Sequence, residues 1–227
     1  MIEALMLFGS AARGENDENS DVDLLAIAAE HKPFSKKTKQ TEIQFLAPRE
    51  LLKSASEGDL FAIHLAFEGK VIFDSTGVFT KFKEKLVIRK DYEREIGWGS
   101  DLAWFLHDFA MKNRNARLVN KRIAWCVRTI AIASLIQSGR ILFSPKALAR
   151  EYNHKHIDDL ISLRRAEDRG AQRKRRLLGF LNSINSDRPD AKSERDYITH
   201  FETTGNLVAL QTINGLRSKA NDVNAPY

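Results

Sequence analysis

The sequence predicts a small mixed-sheet domain of the α+β or α/β class, followed by an all-α helical bundle. Up to about residue 90, short apolar runs typical of strands alternate with helical patterns, whereas later segments show only helical periodicity. The chain has 227 residues, of which 43% are hydrophobic, enough for one compact core or two small ones. We therefore expect two domains, residues 1–90 and 91–227.

Three apolar runs predict the strands of the first domain: ALMLF, DVDLLAIA and TEIQFLA. In the second run, Asp21 and Asp23 project from one face because side chains alternate along a strand, and we expect Val22 and Leu24 to face the core. Helices are predicted after Pro48, in GDLFAIHLAFEG and in FTKFKEKL, with a short strand, KVIFD, between the last two.

Helices account for the second domain. SDLAWFLHDFAMKN begins at a candidate N-cap, Ser100, and VNKRIAWCVRTIAIASLIQSG is a long apolar helix that ends at Gly139. SPKALAREYN places Ser144 at the N-cap and Pro145 at the first helical position. Two more helices are predicted around QRKRRLLGFLNSI and GNLVALQTINGLR, on either side of the turn-prone NSDRPDAKSE.

The net charge of +6 is unevenly distributed. Residues 1–89 contain 12 Lys/Arg against 14 Asp/Glu, a balance of −2, and residues 90–227 contain 24 against 16, a balance of +8. The excess is concentrated in the run Arg164–Arg176, which could contact nucleic-acid phosphates. A solvated helix face is the alternative for such a run.

Cysteine content and the N-terminal sequence favour a cytoplasmic protein with no membrane partner. The single cysteine, Cys126, lies in an apolar helical run, so we expect it to pack in the core, with no disulfide within the chain. The start, MIEALMLFGS, has no basic region followed by a long apolar stretch, and no later window is long enough to span a bilayer.

Asp21 and Asp23 are the first candidates for chemistry, within the stretch LFGSAARGENDENSDVDLLAI. Two carboxylates held this close repel each other unless a divalent cation lies between them. Magnesium is the natural candidate, because it binds through one or two carboxylates plus substrate phosphates. Upstream, Gly9 allows close approach of a ligand, Ser10 would open a helix whose amides suit a phosphate, and Arg13 adds positive charge.

An EF-hand and a Walker loop both fit this stretch poorly. An EF-hand has alternate acidic positions such as Asp17, Asn19 and Asp21, but here the position after Asp21 is Val22 instead of glycine, and Ala28 stands where the closing glutamate belongs. A Walker loop is excluded because there is no GK[ST]. The remaining alternative is a surface turn followed by an ordinary strand.

The spacing Gly9-Ser10, ten residues, Asp21-Val22-Asp23 resembles the signature of the polymerase β nucleotidyltransferase superfamily in its minimal, bacterial form. The resemblance implies that Asp21 and Asp23 bind two magnesium ions. It also implies that Gly9, Ser10, Arg13 and Ser20 hold the nucleoside triphosphate. The family's third carboxylate, which completes the metal site and can act as general base, would be Glu42; an exposed edge-strand position is the alternative for this residue.

The implied reaction is transfer of a nucleoside monophosphate from an NTP to an acceptor, with pyrophosphate as the leaving group. The basic second half favours tRNA or another RNA as acceptor, and a partner protein is the other leading expectation, in a bacterial toxin–antitoxin or defence module. An aminoglycoside acceptor is less expected because it is itself cationic. The alternative from another class is a non-catalytic nucleotide-binding or antitoxin-like partner that acts by occlusion.

The helical half also resembles HEPN-type domains, some of which are ribonucleases. Arg195 with His200, and Arg150 with His156, have the spacing of such sites, although it is common by chance. The other histidines considered, His64, His107 and His154, are expected to be packed or surface residues. Three tryptophans, expected to be core rather than base-stacking residues, are Trp98, Trp104 and Trp125.

Overall fold

The computed structural model describes residues 1–16, 18, 20–29, 34–152, 156–165 and 171–218. The chain divides into two compact units, Met1–Arg89 and Lys90–Tyr227. The first contains the sheet and the second is helical, as the sequence predicts. His154, Asp17, Asn19, the middle of the basic run and the C-terminal tail lie outside the described residues.

The first unit is built on a five-stranded mixed sheet with the strand order β3-β4-β2-β1-β5. The pairs β1/β2, β1/β5 and β3/β4 are antiparallel, and β2/β4 is parallel. The sequence analysis missed β3, which is short and largely exposed. The elements are β1 Ala4–Phe8, α1 Gly9–Arg13, β2 Val22–Ile27, β3 Phe34–Lys37, β4 Thr41–Leu46, α2 Pro48–Ser56, α3 Leu60–Glu68, β5 Lys70–Asp74 and α4 Val78–Lys85.

Alternate side chains of β1 and β2 form the core of this unit together with the helices. Ala4, Met6 and Phe8 of β1 lie beside Leu25 and Ile27 of β2 on one face of the sheet. Helices α2, α3 and α4 cover this face with the buried residues Leu51, Ala55, Ala62, Leu65, Val78, Phe79 and Phe82. Burial of this apolar face is the main force that holds the helices on the sheet.

The predicted orientation of β2 is wrong. Val22 is exposed and Leu24 is only partly buried, whereas Leu25 and Ile27, which share a face with Asp23, have no exposed surface. Leu25 and Ile27 face the core because they pack with Met6 and Ala4 of β1 beneath the helices. In the structure, the two aspartates lie on the core-facing side but at the end of the strand, where they remain partly exposed.

All regular elements in the described part of the second unit are helical. Two helices are not predicted from the sequence, α8 (Ile157–Ser162) and α10 (Glu194–Thr204). The N-cap of α10, Ser193, lies inside the stretch NSDRPDAKSE that was predicted to be a turn, and it forms a capping box with Asp196. The elements are α5 Glu93–Phe105, a π-helical segment Leu106–Ala110, α6 Ala116–Gln137, α7 Pro145–Glu151, α8 Ile157–Ser162, a 3₁₀ turn Leu163–Arg165, α9 Ala171–Ser183, α10 Glu194–Thr204 and α11 Leu207–Arg217.

The predicted N-cap at Ser100 is wrong, because α5 begins seven residues earlier and Ser100 is buried in its interior. The glycine at position 99 explains the difference. A Cβ placed on Gly99 would lie 2.8 Å from Cγ1 of Ile130, so the absence of a side chain lets α5 and α6 pack closely. Glycine is unfavourable in a helix interior, and here this close packing compensates for it.

The core of the second unit contains the cysteine and one tryptophan. Cys126 has no exposed surface, and burial raises the pKa of its thiol. Trp104 is 6% exposed, whereas Trp98 and Trp125 are only partly buried. No helix in the described ranges is both long and apolar enough to cross a membrane.

Candidate functional site

Four strands bring four side chains into one row at one end of the sheet. Lys37 of β3 is paired with Glu42 of β4, Glu42 with Asp23 of β2, and Asp23 with Phe8 of β1. Paired residues on neighbouring strands point to the same face, about 5 Å apart. Strand register therefore places Asp23 and Glu42 side by side, although they are 19 residues apart in sequence.

Asp21 joins this row from the residue just before β2. It is two positions from Asp23, so its side chain emerges on the same side of an extended chain. All three predicted ligands, Asp21, Asp23 and Glu42, are partly buried at this edge. The structure thus brings the predicted carboxylates to one region, where Asp21 and Glu42 both lie near the ammonium of Lys37.

Lys37 lies between two of these carboxylates. Its Nζ donates a hydrogen bond to Oδ2 of Asp21 at 2.6 Å and is 3.6 Å from Oε2 of Glu42. The three side chains are 41%, 35% and 24% exposed in the order Lys37, Asp21, Glu42, so the bridge is only partly screened by water. Burial would lower the pKa of Lys37, but the bonds to Asp21 and the nearby Glu42 raise it, so the ammonium is charged.

The carboxylates suit a hard cation, and the lysine acts as a stand-in for one. Among the described residues, no three His, Cys, Asp or Glu side chains are already grouped to hold a metal ion. The contact of one ammonium with both Asp21 and Glu42 nevertheless shows that the two carboxylates can share a cation. Oxygen donors of this kind are those that Mg²⁺ prefers.

Gly9 allows the carboxylate of Asp23 to come close to the backbone. Gly9 has φ +72°, in the left-handed region, and a Cβ there would overlap Oδ2 of Asp23 and lie 3.3 Å from its Cγ. A side chain at position 9 would therefore be strained by the backbone and would also displace the carboxylate. Glycine at position 9 thus leaves room for the carboxylate of Asp23 beside the end of β1.

Ser10 and Ser20 flank this region. Ser10 is partly buried in α1, a helix of five residues, and its carbonyl accepts a hydrogen bond from the backbone N–H of Glu15 at 2.9 Å. Ser20 is partly buried immediately before Asp21. Ser10 follows Gly9, which lies against Asp23, and Ser20 directly precedes Asp21. The role of both serines in nucleotide binding stays a prediction.

Arg13 is held by carboxylates from two directions. Its Nε donates to Glu15 at 2.7 Å and its Nη1 to Oε2 of Glu68 at 2.5 Å. Burial would lower the pKa of Arg13, but the bonds to Glu15 and Glu68 outweigh this effect and raise it. The guanidinium therefore anchors α1 to α3, and its predicted contact with a nucleotide phosphate stays a prediction.

His64 completes this network from the core. It is 1% exposed, and its Nε2 lies 3.0 Å from the same Oε2 of Glu68 that Arg13 contacts. An ionised carboxylate only accepts hydrogen bonds, so His64 donates from Nε2. Burial would raise the pKa of Glu68, but the bonds from His64 and Arg13 lower it. The prediction that His64 is packed is correct, with the added role of orienting Glu68.

One of the two arginine–histidine pairs of the helical unit, Arg195 with His200, does not form a comparable site. Arg195 is exposed, and it is five residues before His200 on α10, which corresponds to about 140° around the helix. Nε2 of His200 instead lies 2.6 Å from Oδ2 of Asp101. Nδ1 of His156 is 3.7 Å from Asp159.

The structure separates the members of the basic run. Arg173 is 2% exposed; its Nη1 donates to Oδ1 of Asn120 at 2.7 Å and its Nη2 to the carbonyl of Met111 at 2.6 Å. Arg173 therefore belongs to the core of the bundle. Lys174 and Arg175 are exposed, and part of the run lies outside the described residues. The run is thus not one continuous exposed surface.

Lys37, Glu68 and His64 are residues of this site whose roles the sequence analysis missed. Lys37 could have been found from its position at the end of a short polar strand before the turn at residues 38–41, had β3 been recognised. Glu68 and His64 have the i, i+4 spacing of a helical pair, but nothing local indicates that they meet Arg13.

Comparison with known proteins identifies the domain that carries this site. Residues 1–76 match the family model described as Polymerase beta, Nucleotidyltransferase. No curated protein matches the chain. The crystal structure of a nucleotidyltransferase-like protein from Exiguobacterium sibiricum 255-15 is 15% identical, and the match covers 98% of this chain and 90% of that chain with a TM-score of 0.32. A TM-score this low carries no argument. The similarity to the nucleotidyltransferase family therefore rests on the match of residues 1–76 to the family model.

Proposed function

Because residues 1–76 are a polymerase β-type nucleotidyltransferase domain, we propose that the protein transfers a nucleoside monophosphate from an NTP to an acceptor hydroxyl. The observation that carries the proposal is the paired register of Asp23 and Glu42 on adjacent parallel strands, with Asp21 on the same side. The proposed reaction would use these three carboxylates, at a strand end where Gly9 leaves room for the carboxylate of Asp23.

In the proposed reaction, the acceptor oxygen forms a bond to the α-phosphorus and the bond from that phosphorus to the bridging oxygen of the pyrophosphate breaks. Asp21 and Asp23 would hold two magnesium ions and Glu42 would complete one site. Bound there, magnesium would neutralise charge on the attacking and leaving oxygens. Glu42 would also take the proton that the acceptor loses, and Ser10 would orient the leaving diphosphate.

The first test is transfer of label. The protein is incubated with each α-labelled NTP, magnesium and total cell lysate, and the RNA, protein and small-molecule fractions are then separated. We expect label in one fraction, and at least a hundredfold less with the double variant Asp21→Asn/Asp23→Asn, because electrostatic stabilisation is a large part of catalysis. Asp190→Asn, an exposed carboxylate in the helical unit, is the matched control. Equal labelling by the wild type and the double variant would contradict the proposal.

RNA, with tRNA as the first candidate, is the acceptor that the charge distribution supports. Residues 90–227 carry a balance of +8, which attracts a polyanion and repels a cationic aminoglycoside. The setting proposed, a bacterial toxin–antitoxin or defence module, comes from the family resemblance. A partner protein as acceptor would place the label in the protein fraction of the same experiment.

A non-catalytic partner that acts by occlusion is the second candidate, and the Lys37 bridge is the observation that favours it. If Lys37 holds Asp21 and Glu42 permanently, the site cannot recruit a metal. Occlusion predicts that binding to a partner survives the loss of Asp21 and Asp23, whereas catalysis does not. The two candidates therefore separate on the same double variant.

A further inference from the structure

We propose that Lys37 is an internal cation that competes with the divalent metal for Asp21 and Glu42, so that the site is assembled only when metal displaces the lysine. This inference rests on the proposed function, since it concerns the same carboxylates. It assigns a role to Lys37 and adds a step that controls metal binding, neither of which the family match supplies.

The contacts of Lys37 carry the inference. Its ammonium lies 2.6 Å from Asp21 and 3.6 Å from Glu42, in the place where a shared cation would sit. A magnesium ion binds carboxylate oxygens at about 2.1 Å, so an ion on the same oxygens would be very close to the ammonium. Two positive charges at this separation repel strongly, and both cannot occupy the site.

Strand register makes this placement specific to position 37. In the antiparallel pair β3/β4, Lys37 is directly opposite Glu42, and its neighbour Lys36 is opposite Ile43 on the other face. Lys36 is exposed and has the same charge. It lies one residue away but cannot reach the carboxylates on the opposite side of the sheet. The two lysines therefore form a matched pair for an experiment.

The lysine can also leave. Lys37 is the last residue of β3, its side chain is 41% exposed, and the turn after it begins at Thr38. A flexible four-carbon stem allows the ammonium to move into solvent without a change in the strand. Before metal binds, the lysine offsets the repulsion between the carboxylates; after displacement, it is a mobile positive charge beside the site.

The test measures metal binding and not catalysis. Mn²⁺ affinity is measured by electron paramagnetic resonance for the wild type, Lys37→Met, Lys36→Met and Asp21→Asn. We expect Lys37→Met to bind Mn²⁺ about tenfold more tightly, which corresponds to about 1.4 kcal/mol, because the competing cation is gone. Lys36→Met should change the affinity less than about twofold, since only the long-range field is altered, and Asp21→Asn should weaken binding.

A second measurement uses the wild type alone, so it does not depend on the variant's folding. Acylation of lysines by an N-hydroxysuccinimide ester is followed by peptide mass spectrometry with and without Mg²⁺. Displacement predicts that Mg²⁺ raises the labelling rate of Lys37 several-fold and leaves that of Lys36 unchanged.

The outcomes separate the two proposals. If wild type and Lys37→Met bind Mn²⁺ equally and Asp21→Asn does not, the metal site stands and the competition by Lys37 is overturned. If neither binds Mn²⁺, both the competition and the metal-dependent transfer are overturned. A labelling rate of Lys37 that does not respond to Mg²⁺, in protein shown to bind Mn²⁺, also overturns the displacement.

Discussion

The carboxylate of Asp23 occupies the space that a Cβ at position 9 would fill, so Gly9 and Asp23 constrain each other. Replacement of Gly9 by alanine should therefore damage the site in two ways. It forces a non-glycine residue to φ +72°, which costs about 1 kcal/mol, and it pushes Asp23 away from its position. We expect at least tenfold weaker Mn²⁺ binding and a lower melting temperature.

Gly14→Ala is the matched control for this variant. Gly14 also has φ +72°, but nothing described lies within 4 Å of a Cβ placed there. Gly14→Ala should lower stability by a similar backbone term and leave metal affinity nearly unchanged. Equal loss of metal affinity in both variants would show that backbone strain, and not contact with Asp23, is the reason glycine is needed at position 9.

Glu68→Gln should make the free energy of unfolding less dependent on pH in the acidic range. The pKa of Glu68 is lowered from its ordinary 4.5, because the bonds from His64 and Arg13 outweigh the effect of burial. A lowered pKa contributes stability that is present above 4.5 and is lost as the pH falls through the lower folded-state value. At pH 7 we expect Glu68→Gln to reduce the free energy of unfolding by about 1–3 kcal/mol.

Urea unfolding at a series of pH values measures this effect. The difference between the wild type and Glu68→Gln should shrink as the pH falls below about 4.5. Glu57→Gln serves as control, since Glu57 is 60% exposed and 3.9 Å from Lys53, and it should change stability by less than about 0.5 kcal/mol. A difference that stays constant down to about pH 3 would argue against a charged Glu68 as the centre of the network.

Arg122→Met should stabilise the helical unit. Arg122 is 1% exposed, its Nε and Nη2 have no hydrogen-bond partner among the described residues, and burial lowers its pKa to about 10. Replacement of a buried guanidinium, with two nitrogens unsatisfied by the described residues, by an apolar side chain of similar length removes a desolvation penalty. We expect the free energy of unfolding to rise by about 1–3 kcal/mol.

Arg173→Met is the comparison for Arg122→Met, because Arg173 is buried to a similar degree but donates hydrogen bonds to Asn120 and to the carbonyl of Met111. Its replacement leaves Asn120 and the carbonyl of Met111 without these donors, so we expect the free energy of unfolding to fall by about 3–5 kcal/mol. Chemical denaturation of both variants gives the two values. If Arg122→Met is also destabilised, its guanidinium has a favourable partner.

The double variant Lys174→Ala/Arg175→Ala tests the RNA proposal. Both side chains are exposed on α9, and removal of each phosphate-binding charge should reduce the slope of log affinity against log salt by about 1. Fluorescence anisotropy with total tRNA at several salt concentrations measures the slope. Lys81→Ala/Lys83→Ala, which removes two exposed charges from α4, should change it less. Equal effects would mean that binding follows net charge alone.

Secondary structure was predicted correctly from the sequence where the pattern that specifies an element is local. The run ALMLF matches β1 residue for residue, and Pro145 after Ser144 marks the start of α7. Periodicity failed where packing decides the outcome: Ser100 has the chemistry of an N-cap, but the contact of Gly99 with α6 keeps the helix continuous through it. A short polar strand such as β3 has no apolar pattern, so its existence depends on pairing with β4.

The candidate site also combines residues that are close in sequence with contacts that depend on long-range pairing. Gly9, Ser10, Asp21 and Asp23 lie within one short stretch, and nucleotide-transfer chemistry was predicted from the family signature that their spacing resembles. Strand pairing is a long-range property, and it alone places Lys37 against Glu42 and Glu42 against Asp23.

By itself, the sequence determined the domain type, the two-part architecture and the carboxylates of the first motif, because these depend on neighbours along the chain. Only the tertiary structure decided that Lys37 bridges Asp21 and Glu42, that Glu68 and His64 hold Arg13, and that Arg173 is buried. Arg13 and Glu68, for example, belong to separate helices and are 55 residues apart in sequence. Strand pairing in the sheet and packing of the apolar faces bring the partners in these contacts together.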